Sequence, residues 1–282
     1  AAVPSEVSPL EGITRLCFGA SYAVALGLEL ARLAWPRPFY RGLALAFGAA
    51  GLFAHTAFLV VQRPTLQSQY GSLLFLAWVL AVFYLYGTVH HRRVAWAVFV
   101  LPLVLGLVVL AGRFAPEPGS SPPPWSERLA ALTGDRFWGG VHGVLILLAA
   151  VGVCVGFLAS VMYLFQARRL RAKVAPSAGV KLLSLERLEE MNRRAVNIAF
   201  PLLTVGLLVG VALTAQRGDA TQAWTAGKVV GTAGLWLVFV VLLVLRYGLH
   251  TRGRHLAVGT IAAFAVMLAT LAASHPFLGG LP

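Results

Sequence analysis

Acidic residues are scarce in this sequence, which has ten Asp and Glu against 23 Lys and Arg among 282 residues. Charged residues make up 12% of the chain and hydrophobic residues 59%, and the formal net charge is +13. Soluble domains usually carry about twice that share of charge. The composition therefore excludes a soluble domain and indicates a membrane protein with several spans. Cations held at cytoplasmic loops and lipid headgroups account for the positive charge, so we expect lipid and no nucleic acid as a partner.

Cysteine is also rare, with Cys17 and Cys154 the two in the chain. The sequence has no CxxC and no CxxCH motif, which argues against a thioredoxin-type redox pair and against covalent haem attachment to this chain. Both cysteines lie within apolar segments, where we expect them to pack as small buried residues.

Motifs for catalysis are missing as well. The sequence shows no Gly-rich phosphate loop and no combination of nucleophile, base and oxyanion donors. Apart from the single residues Glu29 and His55, the polar mid-span groups and the broken helices that are typical of secondary transporters are also absent. We therefore expect no catalytic activity of its own.

The chain consists mainly of long apolar segments. Each has about the 20 residues that a helix needs to cross a hydrocarbon core. The sequence thus predicts an all-α, polytopic membrane bundle of about eight transmembrane helices, forming a single transmembrane domain over residues 1–282. The N-terminus lacks the basic region of a cleavable signal, so the first segment is expected to be a permanent span. The predicted spans are 12–34, 42–62, 70–89, 94–113, 138–166, 195–215, 226–248 and 255–275.

The distribution of Lys and Arg predicts the orientation of these spans. The connections after spans one, three, five and seven, with the adjoining span ends, hold 16 of the 23 cations. Because positive residues are retained on the cytoplasmic side, both termini are expected outside, in a multi-pass protein of the bacterial plasma (inner) membrane. The Pro-rich segment 114–136 then becomes an outer loop, since the prolines at 116–124 prevent a helix there.

The connection 167–194 is predicted to be cytoplasmic and amphipathic. Ser184 is placed to cap a helix in which Leu185, Leu188 and Met191 recur at helical spacing. This helix would either lie flat on the inner surface or lead into span six. Its polar face is either simply solvated or a docking site for a soluble partner.

Two further features of the spans concern helix packing. Gly152 and Gly156 form a pair of small residues four apart, which is typical of closely packed membrane helices. Trp78 lies deep within span three, where it would pack against a neighbouring helix or a flat ligand. Glu29 is the one acidic residue inside an apolar span, and Arg32 follows it three residues later.

The seven histidines differ in their settings. His90, His91 and His255 lie beside arginines at predicted cytoplasmic ends, where solvent or headgroups would surround them. His55 lies inside span two, about 10 Å from its outer end at 1.5 Å rise per residue. An ionisable residue at that depth is either functional or a neutral imidazole bonded to a neighbouring helix.

His142 and His275 form the pair with the strongest functional pattern. One begins span five and the other ends span eight, so both are expected at the outer face. Two neutral imidazoles arriving from different helices can supply both axial ligands of a haem iron. The outer connection 216–227 places Trp224 at the same level, as an aromatic surface for a porphyrin edge.

Four segments resemble the cytochrome c assembly family of haem-handling membrane proteins (CcsA/ResC-like), particularly its HemX-like branch. Residues 51–78 resemble a span that ends in Arg and is followed by an aromatic-rich span with Tyr-x-Ser and Phe-Leu-x-Trp. Residues 137–173 resemble the Trp-x-x-x-His span and its basic end. Residues 182–210 resemble the Leu-x-x-Leu and Phe-Pro-Leu-Leu-Thr-x-Gly run, and 247–252 matches Tyr-x-Leu-His-x-Arg.

The resemblance implies that outer histidines flank a tryptophan-rich loop where haem is held for delivery to apocytochrome c. His142 matches the first outer histidine, and His250 matches an inner histidine that helps to hold a second haem. This sequence departs from the pattern in three places. The loop 216–227 keeps the single Trp224 without Trp-Asp, His275 matches by position alone, and Gly71 replaces an expected Glu.

Two functions follow from these observations. The first is a haem-binding membrane protein that acts in haem handling or cytochrome c maturation, with non-covalent haem b bound by His142 and His275 outside, and with His55 and His250 as further candidates. The second is a haem-free, HemX-like accessory or regulatory subunit that binds and stabilises a partner. The partners implied are apocytochrome c, a cytochrome c assembly protein or a soluble tetrapyrrole-pathway enzyme.

Overall fold

The computed structural model describes residues 14–35, 37–66, 68–90, 95–115, 135–173, 182–216, 227–249, 251 and 253–273. Within these ranges the chain forms eight α-helices and no strand, which confirms the all-α prediction. A π-helical turn, Val244–Gly248, continues the seventh helix. The helices are α1 (Arg15–Ala34), α2 (Pro38–Gln62), α3 (Gln69–His90), α4 (Ala97–Gly112), α5 (Asp135–Arg171), α6 (Leu185–Gln216), α7 (Gly227–Leu243) and α8 (Gly253–Ala273).

Seven of the eight described helices are long and apolar enough to cross a membrane. The exception is α4, which is apolar but has 16 residues, with Pro102 inside it. At a rise of 1.5 Å per residue its length is about 24 Å, against about 30 Å for a hydrocarbon core. The predicted span 94–113 is thus shorter than expected in the part of the chain that is described.

The membrane orientation stays a prediction, and so does the single transmembrane domain. We call the starts of α1, α3, α5 and α7, with the ends of α2, α4, α6 and α8, the predicted outer end. The opposite end is called the predicted inner end. Nearly all of the Pro-rich loop predicted over 114–136 lies outside the described residues.

The helices group into two compact units, α1–α4 and α5–α8. In the first unit α1 packs against α2 and α4, and α3 packs against the same two helices. In the second unit α5 packs against α6 and α8, and α7 packs against the same two helices. Each unit is therefore a closed ring of four consecutive helices, in which the first and the last helix also make contact.

Aromatic residues of the first unit pack onto glycines of α2. The Tyr22 ring lies where a Cβ on Gly51 would be 2.9 Å away, and the Tyr84 hydroxyl lies 2.6 Å from a Cβ position on Gly48. Both tyrosines are fully buried. Trp78 donates a 2.9 Å hydrogen bond from Nε1 to Thr56 Oγ1, so this tryptophan packs against the neighbouring helix α2.

The acidic residue inside span one is buried. Glu29 has no exposed surface, and Arg32 Nη2 lies 2.8 Å from its Oε2. The distance is that of an ion pair, although the angle is not that of a hydrogen bond. A cation one turn away lowers the cost of holding a carboxylate away from water.

The two small residues predicted to bring helices together do so in the second unit. A Cβ on Gly152 would lie 2.7 Å from Ala199 Cβ, and one on Gly156 would lie 3.0 Å from Thr260 Cγ2. The prediction of close packing at this pair is therefore confirmed. The same layer contains Asn192, whose Nδ2 donates hydrogen bonds to three acceptors on α5 and α8, namely Gly156 O (3.2 Å), Ser160 Oγ (2.6 Å) and Thr260 Oγ1 (3.1 Å).

Of the two alternatives for the amphipathic connection, the structure shows the one in which its helix leads into span six. Leu185–Gln216 is one continuous helix, so the segment at 185–194 forms its first turns. Ser184 caps it as predicted, since Arg187 N–H donates to Ser184 Oγ over 3.4 Å. Leu188 is fully buried, which explains why this end of the helix is held in place.

The expectation for the cysteines is half right. Cys154 is buried in α5, whereas Cys17 is exposed on α1. The physical reason is its position on the helix, because Cys17 lies on the side away from the buried Phe18 and Tyr22. Cys17 is therefore exposed on the surface of the first unit, although it lies within an apolar span.

The contact at Gly152 gives a first testable prediction. Gly152→Ala places a methyl group 2.7 Å from Ala199 Cβ, and overpacking of this kind costs about 1–3 kcal/mol. We expect a lower Tm for the detergent-solubilised variant in a thermal aggregation assay. Gly234→Ala is the matched control, since a Cβ there meets nothing within 4 Å. Equal Tm values for the two variants would contradict the close packing of α5 and α6.

Candidate functional site

His142 lies on α5, two turns from its start and near the predicted outer end. The side chain is half-buried against α6. Its Nδ1 is 2.8 Å from the carbonyl oxygen of Gly206. Because a carbonyl oxygen only accepts, Nδ1 carries the proton and donates it in this bond.

This bond determines which ring nitrogen is free to bind a ligand. In the neutral imidazole, a proton on Nδ1 leaves the lone pair on Nε2. Metal-binding histidines in proteins usually donate their other N–H to a carbonyl or carboxylate in the same way, which fixes the tautomer and the direction of the ring. The arrangement around His142 therefore fits a histidine that binds iron through Nε2.

An aromatic side chain accompanies His142 on α5. Trp138 precedes it by four residues, so the two side chains lie on one face of the helix. The indole is about half exposed, and it makes an edge-to-face contact with Phe137 at 5.6 Å between ring centroids. The α5 helix thus offers an imidazole and an exposed flat apolar surface at the same end.

Three of the predicted site residues lie outside the described residues: His250, His275 and Trp224. Their roles stay predictions, including the pairing of His275 with His142. The residues on either side of His250 are described, and they lie at the predicted inner end. Leu249 follows the π-helical turn directly, and Thr251 donates from Oγ1 to Leu245 O over 3.0 Å.

His55 is enclosed within the first unit. Its ring has no exposed surface and stacks on Phe18, with centroids 4.2 Å apart and planes 1° from parallel. The Tyr22 hydroxyl lies 3.4 Å from Nδ1. Among the described residues Nε2 has no hydrogen-bond partner. The structure therefore gives His55 a bonded neighbour on α1 and leaves one buried nitrogen without one.

The enclosure of His55 bears on what it can bind. Phe18 covers one face of the ring and Tyr22 approaches from the edge, at 6.1 Å between centroids. Because His55 has no exposed surface, a flat porphyrin could reach Nε2 only after the surrounding side chains moved. In this respect His55 differs from the half-buried His142, and its role as a cofactor ligand stays a prediction.

The second unit has a groove at its predicted inner end, and the sequence predicted only part of it. Its volume is about 590 Å³. The first turns of α6 form one wall and the π-helical turn forms the other, where Tyr247 and Asn197 exchange hydrogen bonds of 2.7 and 3.1 Å. The sequence signalled only the α6 wall, through its amphipathic pattern. The lining residues are Glu186, Glu189, Glu190, Arg193, Arg246, Tyr247, Thr251 and Leu256.

The π-helical turn is what sequence reasoning missed at this groove. Such turns often occur at functional sites, because the extra residue redirects side chains. Here Arg246 is half-buried and its Nη2 lies 3.4 Å from Glu189 O, a long contact. Nothing in the run VLRYG distinguishes a π turn from an ordinary helix end, so only the folded structure reveals it.

Comparison with known proteins supports the resemblance described above. A family model described as Cytochrome C assembly protein matches residues 66–275, which is 210 of the chain's 282. The cytochrome c biogenesis protein CcsA of Parasynechococcus marenigrum (strain WH8102) is 24% identical over an alignment of 285 positions, which covers 92% of each chain. CcsA of Synechococcus sp. (strain CC9605) is 23% identical over an alignment of 286 positions, which again covers 92% of each chain.

A relative from the other branch is similar as well. Protein HemX of Bacillus subtilis (strain 168) is 27% identical over 203 residues, covering 70% of this chain and 68% of the relative. No solved structure matches the chain.

These matches agree with the helical architecture. The matched region begins before α3 and extends to the end of α8, so it includes the whole second unit with His142. Together with the seven apolar helices it identifies a multi-pass membrane protein, which in bacteria lies in the plasma membrane. The chain belongs to the cytochrome c assembly protein family.

Proposed function

We propose that this protein binds haem non-covalently, as haem b, at its predicted outer face and acts in haem handling for cytochrome c maturation. The observation that supports this most directly is the 2.8 Å bond from His142 Nδ1 to Gly206 O. That bond leaves Nε2 as a ligand for iron. The names of the CcsA relatives, which are cytochrome c biogenesis proteins, point to the same process.

In this proposal His142 supplies one axial ligand and His275 the other. Trp224, and Trp138 on α5, add apolar surface beside the porphyrin. Haem is the cargo here, and its iron supplies the affinity for two imidazoles. The chain's own residues hold and orient it, and we expect no covalent step on them.

The remaining histidines have subsidiary roles in the proposal. His250 would hold haem near the predicted inner end, as its match to the family's inner histidine implies. His55 would act in the same way only if the side chains that bury it moved. The partner expected on the outer side is apocytochrome c or a cytochrome c assembly protein.

The absorption spectrum tests the outer site. Detergent-purified protein, as isolated or after addition of hemin, is expected to show a low-spin b-type spectrum on reduction with dithionite. His142→Ala combined with His275→Ala should abolish it, because both axial ligands are removed. His255→Ala is the control, since that histidine is exposed at the start of α8.

Two results would contradict the outer site. A spectrum that survives in the double variant would move the haem to His55 or His250. Wild-type protein that takes up no hemin would remove haem binding altogether and favour the accessory function considered next.

The second candidate function is that of a haem-free, HemX-like accessory subunit that binds and stabilises a partner. The groove at the predicted inner end supports it. Binding sites commonly have volumes of about 300–1,000 Å³, and this one has about 590 Å³. Its α6 wall carries three glutamates on an inner end that is otherwise rich in Lys and Arg; Glu190 is paired with Arg193 and Arg194, which leaves Glu186 and Glu189 for a partner. In this reading the partner is a soluble tetrapyrrole-pathway enzyme that places a basic side chain beside Glu186.

Charge reversal at the groove tests the accessory function. Glu186 is exposed, so Glu186→Lys should leave the fold intact and weaken retention of the partner enzyme by purified membranes. Arg187→Glu changes the neighbouring residue, which does not line the groove, and should retain the partner. The measurement is the amount of tetrapyrrole-pathway enzyme bound at increasing salt. Equal retention by the two variants would exclude the groove as the docking site.

A further inference from the structure

We infer that Gly206 and Gly210 are positioning residues for His142, and that their lack of side chains holds its imidazole in the ligand tautomer. The inference rests on the proposed use of His142 as a haem ligand. It concerns two residues of α6 that supply no ligand to iron. They act by fixing where the ring lies and which nitrogen carries its proton.

Gly210 gives the ring its place. A Cβ on this residue would lie 2.8 Å from His142 Cε1, 3.1 Å from Nδ1 and 3.7 Å from Nε2. Real Cβ atoms do not approach a ring carbon to 2.8 Å, so any other residue would push the imidazole away from α6. The edge formed by Cε1 and Nδ1 thus faces Gly210, and Nε2, at 3.7 Å, is the more distant of the two ring nitrogens.

Gly206 supplies the acceptor. A Cβ on Gly206 would lie 2.9 Å from Ile146 Cδ1 and 3.3 Å from Leu145 Cβ, so α5 and α6 come together at this level because Gly206 has none. This approach brings the Gly206 carbonyl within 2.8 Å of Nδ1.

The two glycines are linked through one helical hydrogen bond. In an α-helix the carbonyl of residue 206 pairs with the N–H of residue 210. A carbonyl oxygen has two lone pairs, so it can also accept from His142. Gly206 therefore provides the carbonyl oxygen. Gly210 provides both the N–H that bonds to this oxygen within the helix and the space for the imidazole ring.

The chemical consequence falls on Nε2. A donated Nδ1–H makes the other ring nitrogen a better ligand, and loss of such a supporting bond typically lowers metal affinity about 10–100-fold. Displacement of the ring also allows the proton to move to Nε2, which removes the lone pair that iron requires. Gly210 thus affects ligation through the position of the imidazole ring.

The tautomer in wild-type protein is the first measurement, and it needs neither haem nor a destabilising variant. The ¹⁵N spectrum of histidine-labelled, haem-free protein at pH 8 should show His142 as the Nδ1–H form, with the signal assigned by its loss in His142→Gln. A His142 signal of the Nε2–H form would overturn the inference.

The second measurement compares Gly210→Ala with Gly140→Ala. Gly140 lies two residues before His142 on α5, and a Cβ there meets nothing within 4 Å. Gly210→Ala should shift the His142 signal toward the Nε2–H form and weaken hemin binding about 10–100-fold. Gly140→Ala should leave both unchanged. An unaltered tautomer in folded Gly210→Ala would overturn the positioning role.

The two readouts separate this inference from the haem proposal. If wild-type protein binds no hemin but His142 is held as Nδ1–H and released in Gly210→Ala, haem binding fails and the positioning role stands. If hemin binds through His142 but the tautomer and the affinity are the same in both variants, haem binding stands and the positioning role fails.

Discussion

The close approach of α5 and α6 is the constraint on which the second unit depends. Gly152 meets Ala199 at one level and Gly206 meets Ile146 at another, so the two backbones lie near each other over several turns. Within a bilayer the hydrophobic effect does not drive helices together, and close packing of small residues takes its place. The same approach brings a backbone carbonyl of α6 to the His142 ring. Packing and the candidate site therefore share one cause.

Buried polar groups in the two units have different kinds of partner. Asn192 bonds to the neighbouring helices α5 and α8, whereas the carboxylate of Glu29 lies beside Arg32 of its own helix α1. Such groups are costly within apolar surroundings unless they are paired. His55 differs, because its Nε2 has no partner among the described residues. Among the ring nitrogens of the described histidines, Nε2 of His55 is the one that is buried without a hydrogen-bond partner.

The two candidate sites lie at opposite ends of the second unit. The predicted outer end carries His142 with Nδ1 bonded to the Gly206 carbonyl, and the predicted inner end carries a polar groove beside a π-helical turn. The first suits an iron ligand and the second suits a docking partner. A loop with Trp224 alone offers less stacking area for a porphyrin than a tryptophan-rich one, yet it leaves the imidazole of His142 unaffected. Haem binding and partner binding thus rest on different residues of one unit.

Local sequence determined the helices, their number and the family, because apolar length, glycine spacing and short motifs need no knowledge of distant contacts. It also pointed to His142, to the Gly152 and Gly156 pair and to the Ser184 cap. It did not reveal that Cys17 faces outward, that Phe18 covers His55 or that Val244–Gly248 forms a π turn. Those features depend on helix rotation and on contacts between residues far apart in the chain. Only tertiary structure places the Gly206 carbonyl, 64 residues from His142, where it decides which nitrogen of the imidazole is free.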